Sequence, residues 1–396
     1  MRLPLIAGIA IIILSILIDA YIYMRVRKGA SRTWSKTYLC SAFLTVALTI
    51  TLVCWPKRNS ETSLLPAMWM LFTWLSIYIP KIIYIIFSLF DYIPLLWKGK
   101  RKPIGLWVGL PVAVIVFCTV WYGSIWGRRN IDIEEITISS ERLPASFKGY
   151  KIVQFSDAHV GTWGNDTTFI HEIVEKINAL NPDIIVFTGD IVNRKTDEIK
   201  PFINVLSRLK AKQGVYSIMG NHDYGNYANW PSEAAHEQNT AELRTIEKSM
   251  GWHLLDNSHV TLRMGNDSIK LIGVENWGEP PFNTLGDIKK ATDGVNPEMF
   301  AILLSHNPMH WRMQVRDSYN IDLTLAGHTH AMQMRFRTPW KDYSLSSLKY
   351  PEWEGLTEYQ RKDDFVSRLY VNIGCGEVGF PARIGANPEI TLITLQ

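Results

Sequence analysis

Four apolar runs fill the first 127 residues of this chain, and each is long enough for the roughly 20 residues that a bilayer-spanning helix needs. Leu3 to Met24 is interrupted only by Asp19. Thr37 to Trp55 is the second run. Leu64 to about Trp97 is the third and the longest, with Pro80-Lys81 in its middle. It reads as one tilted helix or as a helix followed by a surface segment. Ile104 to Trp126 is the fourth. The first run lacks a clear small-residue cleavage site and is followed by further spans, so it reads as a retained helix rather than a signal peptide. Trp55, Trp97, Trp107 and Trp126 stand near run ends, where interfacial aromatics belong. Asp19 is expected to snorkel or pair. The near absence of paired charges within the runs argues against transport.

Lysine and arginine set the expected orientation. Arg25, Arg27, Lys28, Arg32 and Lys36 follow the first run, and Lys98, Lys100, Arg101 and Lys102 precede the fourth. Between the second and third lie only Lys57 and Arg58. The positive-inside rule puts the two richer loops in the cytoplasm and the rest of the chain on the outer, periplasmic face of what reads as a bacterial inner membrane. Three of the four cysteines fall inside apolar runs, so no disulfide framework is implied. A net charge of +4 is too small to argue for a nucleic-acid partner.

Residues 128–149 read as a linker and first strand, and 150–396 as a mixed-composition soluble domain. Strands are expected at about 131–138, 151–155, 183–187, 214–219, 269–274, 300–304, 323–326, 369–373 and 390–395. Helices are expected at 167–180, 199–209 and 241–250. Alternating strand and helix followed by a strand-rich half indicates a layered α/β sandwich.

Five short motifs fall just after these strands. They are Ser156-Asp157-Ala158-His159, Thr188-Gly189-Asp190, Gly220-Asn221-His222-Asp223, Ser305-His306-Asn307-Pro308 and Gly327-His328-Thr329-His330. Side chains two apart in extended backbone share a side, which pairs Asp157 with His159. A carboxylate such as Asp190 can bridge two cations with its two oxygens. Asn221 offers a neutral amide oxygen, and His306, His328 and His330 offer imidazoles. Gly189, Gly220 and Gly327 permit sharp turns and close backbone approach. Carboxylate, amide and imidazole together suit Mn, Fe or Zn better than Mg or Ca. Two such ions activate water for in-line attack on phosphorus. His222 is the best general acid, since imidazole titrates near neutrality, and Asp223 is expected to hold its ring in one tautomer. Asp157-Ala158-His159 or Thr188-Gly189-Asp190 alone is weak, Gly220-Asn221-His222-Asp223 and Gly327-His328-Thr329-His330 are stronger, and five in order, each after a strand, argue against chance. His171, His236, His253, His259 and His310 lie outside the motifs and read as surface or packed residues.

From about Leu143 to Gln396 these motifs resemble the calcineurin-like metallophosphoesterase superfamily. The tail Gly379-Phe380-Pro381-Ala382-Arg383, Pro388-Glu389-Ile390-Thr391 and the segment Tyr350-Pro351-Glu352-Trp353 are similar to its membrane-associated branch, typified by YkuE and YaeI proteins. The resemblance implies two β-sheets flanked by helices, with two metals at the strand ends. It implies Asp157, His159, Asp190 and His330 for one metal, Asp190, Asn221, His306 and His328 for the other, and His222 as proton donor. Ala331-Met332 stands where Gly-Gly is common, and Ala158 replaces a frequent Leu.

A hydrolytic site on several membrane helices favours a lipid or envelope phosphoester or pyrophosphate as substrate. Soluble nucleotides or phosphodiesters are the alternative, and a non-catalytic scaffold is disfavoured because no ligand position is lost. Met332 to Trp340, with Tyr343, Tyr350 and Trp353, reads either as an apolar, basic lip using Arg335 and Arg337 or as an ordinary packed cap loop.

Overall fold

A computed structural model describes residues 5–57, 59–97, 99–279 and 284–396. Leu3, Arg58 and Lys98, used in the sequence reading, lie outside the described residues. The chain divides into two compact units, Met1–Trp126 with Gly379–Ala382 and Gly127–Val378 with Arg383–Gln396.

In the first unit, α1 (Leu5–Gly29), α2 (Arg32–Cys54), α3 (Leu65–Leu89) and α4 (Leu110–Ile125) follow the apolar runs. Among the described residues these four helices, with their flanking turns, are long and apolar enough to cross a membrane. The third run resolves into α3, which keeps Pro80 inside it, and a tighter helical segment, Phe90–Trp97. Ser31 caps α2 by accepting a hydrogen bond from the Trp34 amide.

The helices are joined by a buried charge pair: Asp19 pairs, one of its two expected outcomes, and its partner Lys81 comes from the third run. Lys81 Nζ lies 2.6 Å from Asp19 Oδ1, and the hydroxyls of Tyr38 and Tyr78 donate to the same carboxylate at 2.7 and 2.9 Å. Thr45 completes the shell at 3.2 Å. The expectation of almost no paired charge among the spans is therefore corrected. The partners are 62 residues apart, and only the packing of α1 against α3 brings them together. At the basic end of the unit, Arg25 and Arg101 both pair with buried Asp91. Both richly basic loops thus lie at one end of this unit.

The second unit is built from strands laid down in order. First come β1 (Asp132–Ile138), β2 (Lys151–Phe155), β3 (Ile184–Phe187), β4 (Val215–Ser217) and β5 (Trp252–Leu254). Then come β6 (Ser258–Met264), β7 (Asp267–Gly273), β8 (Ala301–Leu304) and β9 (Leu323–Ala326). A small hairpin, β10 (Phe336–Arg337) and β11 (Asp342–Tyr343), precedes β12 (Gly355–Gln360), β13 (Val366–Val371) and β14 (Glu389–Leu395). Among the described residues they form two six-stranded mixed sheets, ordered β1-β14-β2-β3-β4-β5 and β12-β13-β9-β8-β7-β6, besides the hairpin. The expected α/β sandwich is the observed one.

Period-two burial explains the layering. In β3, Ile184 and Val186 face the other sheet, while Ile185 and Phe187 face the helix α5 (Thr168–Ala179). Ile302 and Leu304 of β8 and Leu323 and Leu325 of β9 meet that inner face from the second sheet. The parallel strands β2, β3 and β4, and β8 and β9, therefore send their carboxyl ends to one edge of the sandwich. Two expected helices differ. Residues 199–209 are a tight turn, Thr196–Phe202, and a short helix, Ile203–Leu206, because Pro201 cannot continue a regular ladder. The next helix begins at Glu233 rather than Ala241. Ser232 caps it, and its first two turns are too polar to show apolar spacing.

Replacing Asp19 with Ala should leave the largely buried Lys81 cation without its carboxylate, at a cost of about 3–5 kcal/mol by the measure of broken buried pairs. The double change Asp19→Ala, Lys81→Met should recover most of it. Thermal unfolding of the full-length protein in detergent checks both.

Candidate metal centre

The carboxyl ends of five strands deliver the motif residues to one place. Asp157 and His159 follow β2, Asp190 follows β3, Asn221 to Asp223 follow β4, His306 follows β8, and His328 and His330 follow β9. Three groups of side chains converge closely enough to hold metal ions: Asp157, His159 and His330; Asp190, His306 and His328; and His159, Asp190 and His222. His330 Nε2 lies 3.1 Å from both Asp157 Oδ1 and His159 Nε2. His306 Nε2 lies 3.2 Å from Asp190 Oδ2, 3.1 Å from Asn221 Oδ1 and 3.1 Å from His328 Nδ1. Asp190 Oδ2 is also 3.6 Å from His159 Nε2, so its carboxylate sits between the two sets.

The turns that aim these groups carry backbone strain. Asp157, His159, Asp190, His328 and His330 all have left-handed backbone, with φ between 40° and 73°. Such conformations are uncommon outside glycine and persist where surrounding structure over-determines them. Ala331, Met332 and Gln333 continue the left-handed path after His330. That is the physical reason Gly-Gly suits this position, and Ala331-Met332 carries roughly 1–2 kcal/mol of strain per residue. The glycines act mainly through close approach. A Cβ on Gly220 would stand 2.2 Å from Asp190 Oδ1, and one on Gly327 would stand 2.0 Å from Ser156 Oγ.

Backbone carbonyls select the imidazole tautomers. Nδ1 of His159 donates to Val192 O at 3.1 Å, and Nδ1 of His306 donates to Thr188 O at 2.7 Å. In both rings Nε2 is left as the nitrogen facing inward, as a metal ligand requires. The Asn221 amide donates to the Tyr227 hydroxyl at 2.8 Å, which turns its oxygen toward His306. Buried Arg383 reaches Nδ1 of His330 at 3.3 Å.

The electrostatics favour positive charge at the centre. Burial alone would raise the carboxyl of Asp157, yet His330 and His306 hold it well below the ordinary range. Asp190 is held down in the same way by His306 and His222 against its burial. Burial would lower His306, but Asp190 beside it carries that imidazole up to about 10. Burial and the neighbouring His306 push His328 down to about 3. The Asp190 carboxylate thus favours positive charge beside it, which a cation would supply. Inward-facing imidazole nitrogens, two carboxylates and this charge preference fit a pair of divalent cations.

Asp223 has a different task from the one expected. Its carboxylate accepts hydrogen bonds from the backbone amides of Asp190, Ile191, Val192 and Gly220, at 2.7 to 3.2 Å. It does not hold the His222 ring. Nδ1 of His222 donates instead to Asn193 O at 2.6 Å, and the ring stacks on Tyr227 with centroids 4.1 Å apart. The physical reason is that a buried carboxylate between two turns rich in N–H donors is best satisfied by them. Arg335 also departs from expectation. It is buried, donates to Gly385 O and pairs with Glu354 at 3.1 Å, so it is not offered to an anion in solution. Trp353 is buried as well.

Tyr227, Asn193 and Arg383 carry structural roles that motif reading missed or did not assign. Tyr227 and Asn193 belong to no motif. Arg383 lies in the tail segment already noted, without a sequence signal for its contact. Tyr350 approaches the centre from the other side, its hydroxyl 2.9 Å from His328 Nε2. Between Tyr227, Tyr350, Trp277 and Asn307 a cavity of about 140 Å³ opens onto Asn221 and His328.

Comparisons with known proteins agree with this geometry. Residues 1–128 match the family described as probable calcineurin-like phosphoesterase, transmembrane domain, and residues 150–332 match calcineurin-like phosphoesterase. A Danio rerio transmembrane protein with metallophosphoesterase domain is 31% identical over 69% of this chain and 60% of its own length. The chain therefore spans about 60% of that relative's length. The uncharacterized metallophosphoesterase YkuE of Bacillus subtilis is 32% identical over 67% of this chain and 86% of that protein. A UDP-2,3-diacylglucosamine pyrophosphatase, LpxG, of Chlamydia muridarum is 28% identical over 73% of this chain and 97% of its own length.

Beneath the Asn221 loop, Glu247 is fully buried and donated to by the Ser217 hydroxyl at 2.5 Å. Burial pushes its carboxyl from the ordinary 4.5 up to about 8. Between those two values the folded state holds a proton that the unfolded state has lost, so stability present at low pH is lost as pH rises through this window. Glu247→Gln removes that dependence. Unfolding midpoints of the full-length protein between about pH 5 and 8 should fall less steeply in the variant than in the parent.

Proposed function

Because the chain belongs to the calcineurin-like metallophosphoesterase family, we propose that it hydrolyses a phosphoester or pyrophosphate carried by a membrane lipid or another envelope molecule. It is an integral membrane, metal-dependent phosphoric ester hydrolase. We assign residues 1–127 to the membrane part, 128–149 to a linker and first strand, and 150–396 to catalysis. The observation that carries the reading is the convergence of the donor groups at one sandwich edge, in a chain that also carries four helices long and apolar enough to cross a bilayer. The lipid preference is supported by the likeness to a pyrophosphatase whose name specifies a diacylated sugar nucleotide.

Asp157, His159, Asp190 and His330 would hold one divalent cation, and Asp190, Asn221, His306 and His328 would hold the other. When bound, such a pair supplies charge neutralisation and activated water for attack on phosphorus. Asp223 keeps the Asp190 and Asn221 turns at fixed spacing. His222 serves as general acid. With Nδ1 committed to Asn193 O, its Nε2 carries the proton for the leaving oxygen. Tyr227 holds both the His222 ring and the Asn221 amide in place.

The catalytic unit is assigned to the outer face, the periplasm of a bacterial inner membrane. Supporting this, Arg25 and Arg101 meet at Asp91, so the basic loops share the end opposite the one where the chain leaves α4.

The test is Mn-dependent hydrolysis by full-length protein in detergent, on a chromogenic diester, a monoester, a nucleotide diphosphate and lipid phosphates. Asp190→Asn should lose bound metal and at least about 100-fold of activity, since losing even an outer partner of a ligand costs 10–100-fold. Preference for the soluble esters over lipid phosphates would replace the lipid reading with the nucleotide or phosphodiester one. His222→Ala should keep its metal by elemental analysis and lose about 10²–10⁴-fold in turnover, least on substrates with good leaving groups. Metal loss in that variant would make His222 a structural support instead.

A further inference from the structure

Between the His330 turn and Tyr350 the surface of the catalytic unit changes character. Trp340 is 90% exposed and Leu348 85%, and Met332, Phe336, Tyr343 and Leu345 are each more than half exposed. The other exposed large hydrophobics described in this unit, Ile133, Leu285, Met313 and Leu356, are scattered along the chain, whereas these six fall within 17 residues. Scattered apolar side chains need no explanation, but a contiguous patch of this kind marks a contact surface.

The backbone beneath the patch is well tied. The Arg335 amide donates to Ile384 O at 2.9 Å, the Ser344 hydroxyl donates to Ala331 O at 2.5 Å, and β10 pairs with β11. The large side chains therefore point outward from a braced hairpin. Arg337, Lys341 and Lys349 stand exposed among them. Aromatic, leucyl and cationic side chains on one projection are the composition of a membrane-interface anchor.

The location also argues for a bilayer. The Arg337 guanidinium lies 3.8 Å from Glu134, so the hairpin sits beside the start of β1. Only six residues separate Ile125, the end of α4, from Asp132, the start of β1. Even fully extended, that link reaches no more than about 25 Å. The patch thus lies beside the strand that is tied most directly to a membrane-crossing helix.

We propose that residues 332–348 form a membrane-interface anchor that dips into the bilayer crossed by the chain's own helices. Trp340, Phe336 and Leu348 enter the acyl boundary, and Arg337 and Lys341 meet the headgroups. The inference needs only membrane anchorage and holds whatever the substrate is.

The test uses full-length protein with Cys40, Cys54 and Cys118 changed to Ser, placed in nanodiscs of phosphatidylcholine and phosphatidylglycerol. An environment-sensitive fluorophore is attached at Trp340→Cys or Leu348→Cys. Glu298→Cys serves as an aqueous control and Ile115→Cys, on exposed α4, as a lipid control. Labels at 340 and 348 should emit at shorter wavelength than the label at 298 and lose intensity when doxyl lipid is added. Emission like that at 298, with no quenching while the label at 115 is quenched, would overturn the proposal. Shorter-wavelength emission without lipid quenching would also overturn it, because the hairpin would then be covered by protein, such as a second copy.

Discussion

One buried carboxylate ties the active edge of this protein together. Asp223 gathers amides from two different strand-to-loop turns, the one carrying Asp190 and the one carrying Asn221 and His222. Its burial and the nearby Asp190 raise its carboxyl to about 7 against the pull of those amides. Without it, several buried N–H groups would lack partners, each at a cost of about 1–3 kcal/mol. The spacing of the two loops, and so the distance from Asp190 to Asn221 and His222, depends on that arrangement.

Around it the site follows one logic. Carbonyls of the same turns fix which imidazole nitrogen faces inward, and left-handed backbone aims the side chains. Strain of this kind needs support, and three apolar layers supply it. The inner layer joins the sheets, and the outer layers hold α5 and the Trp311 region against them. The site is then a set of strained loop ends on a rigid block.

The membrane unit uses polar contacts in another way. Among apolar helices, hydrophobic contrast with lipid gives little reason for one helix to choose another. The Asp19–Lys81 pair and its tyrosine and threonine partners supply directional contacts among α1, α2 and α3. Asp91 does the same at the basic end.

Much of this was legible in the chain itself. The four membrane helices follow from long apolar runs, because a bilayer sets their length. The α/β sandwich follows from apolar strands separated by helical spacing, and the motif residues were visible because each follows such a strand. Features made by residues far apart were not legible. Glu233–Ser249 begins in a polar stretch, so its start depends on a cap rather than a pattern. Lys81 finds Asp19, His222 leans on Asn193 rather than Asp223, and Arg335 turns inward to Glu354. The sequence alone determined which donors exist, in what order, and that the chain lies in a membrane, since these depend on residue type and local spacing. Tertiary structure decided which donors meet, which tautomers they hold and where the exposed aromatics project, since those depend on distances between residues that the chain keeps far apart.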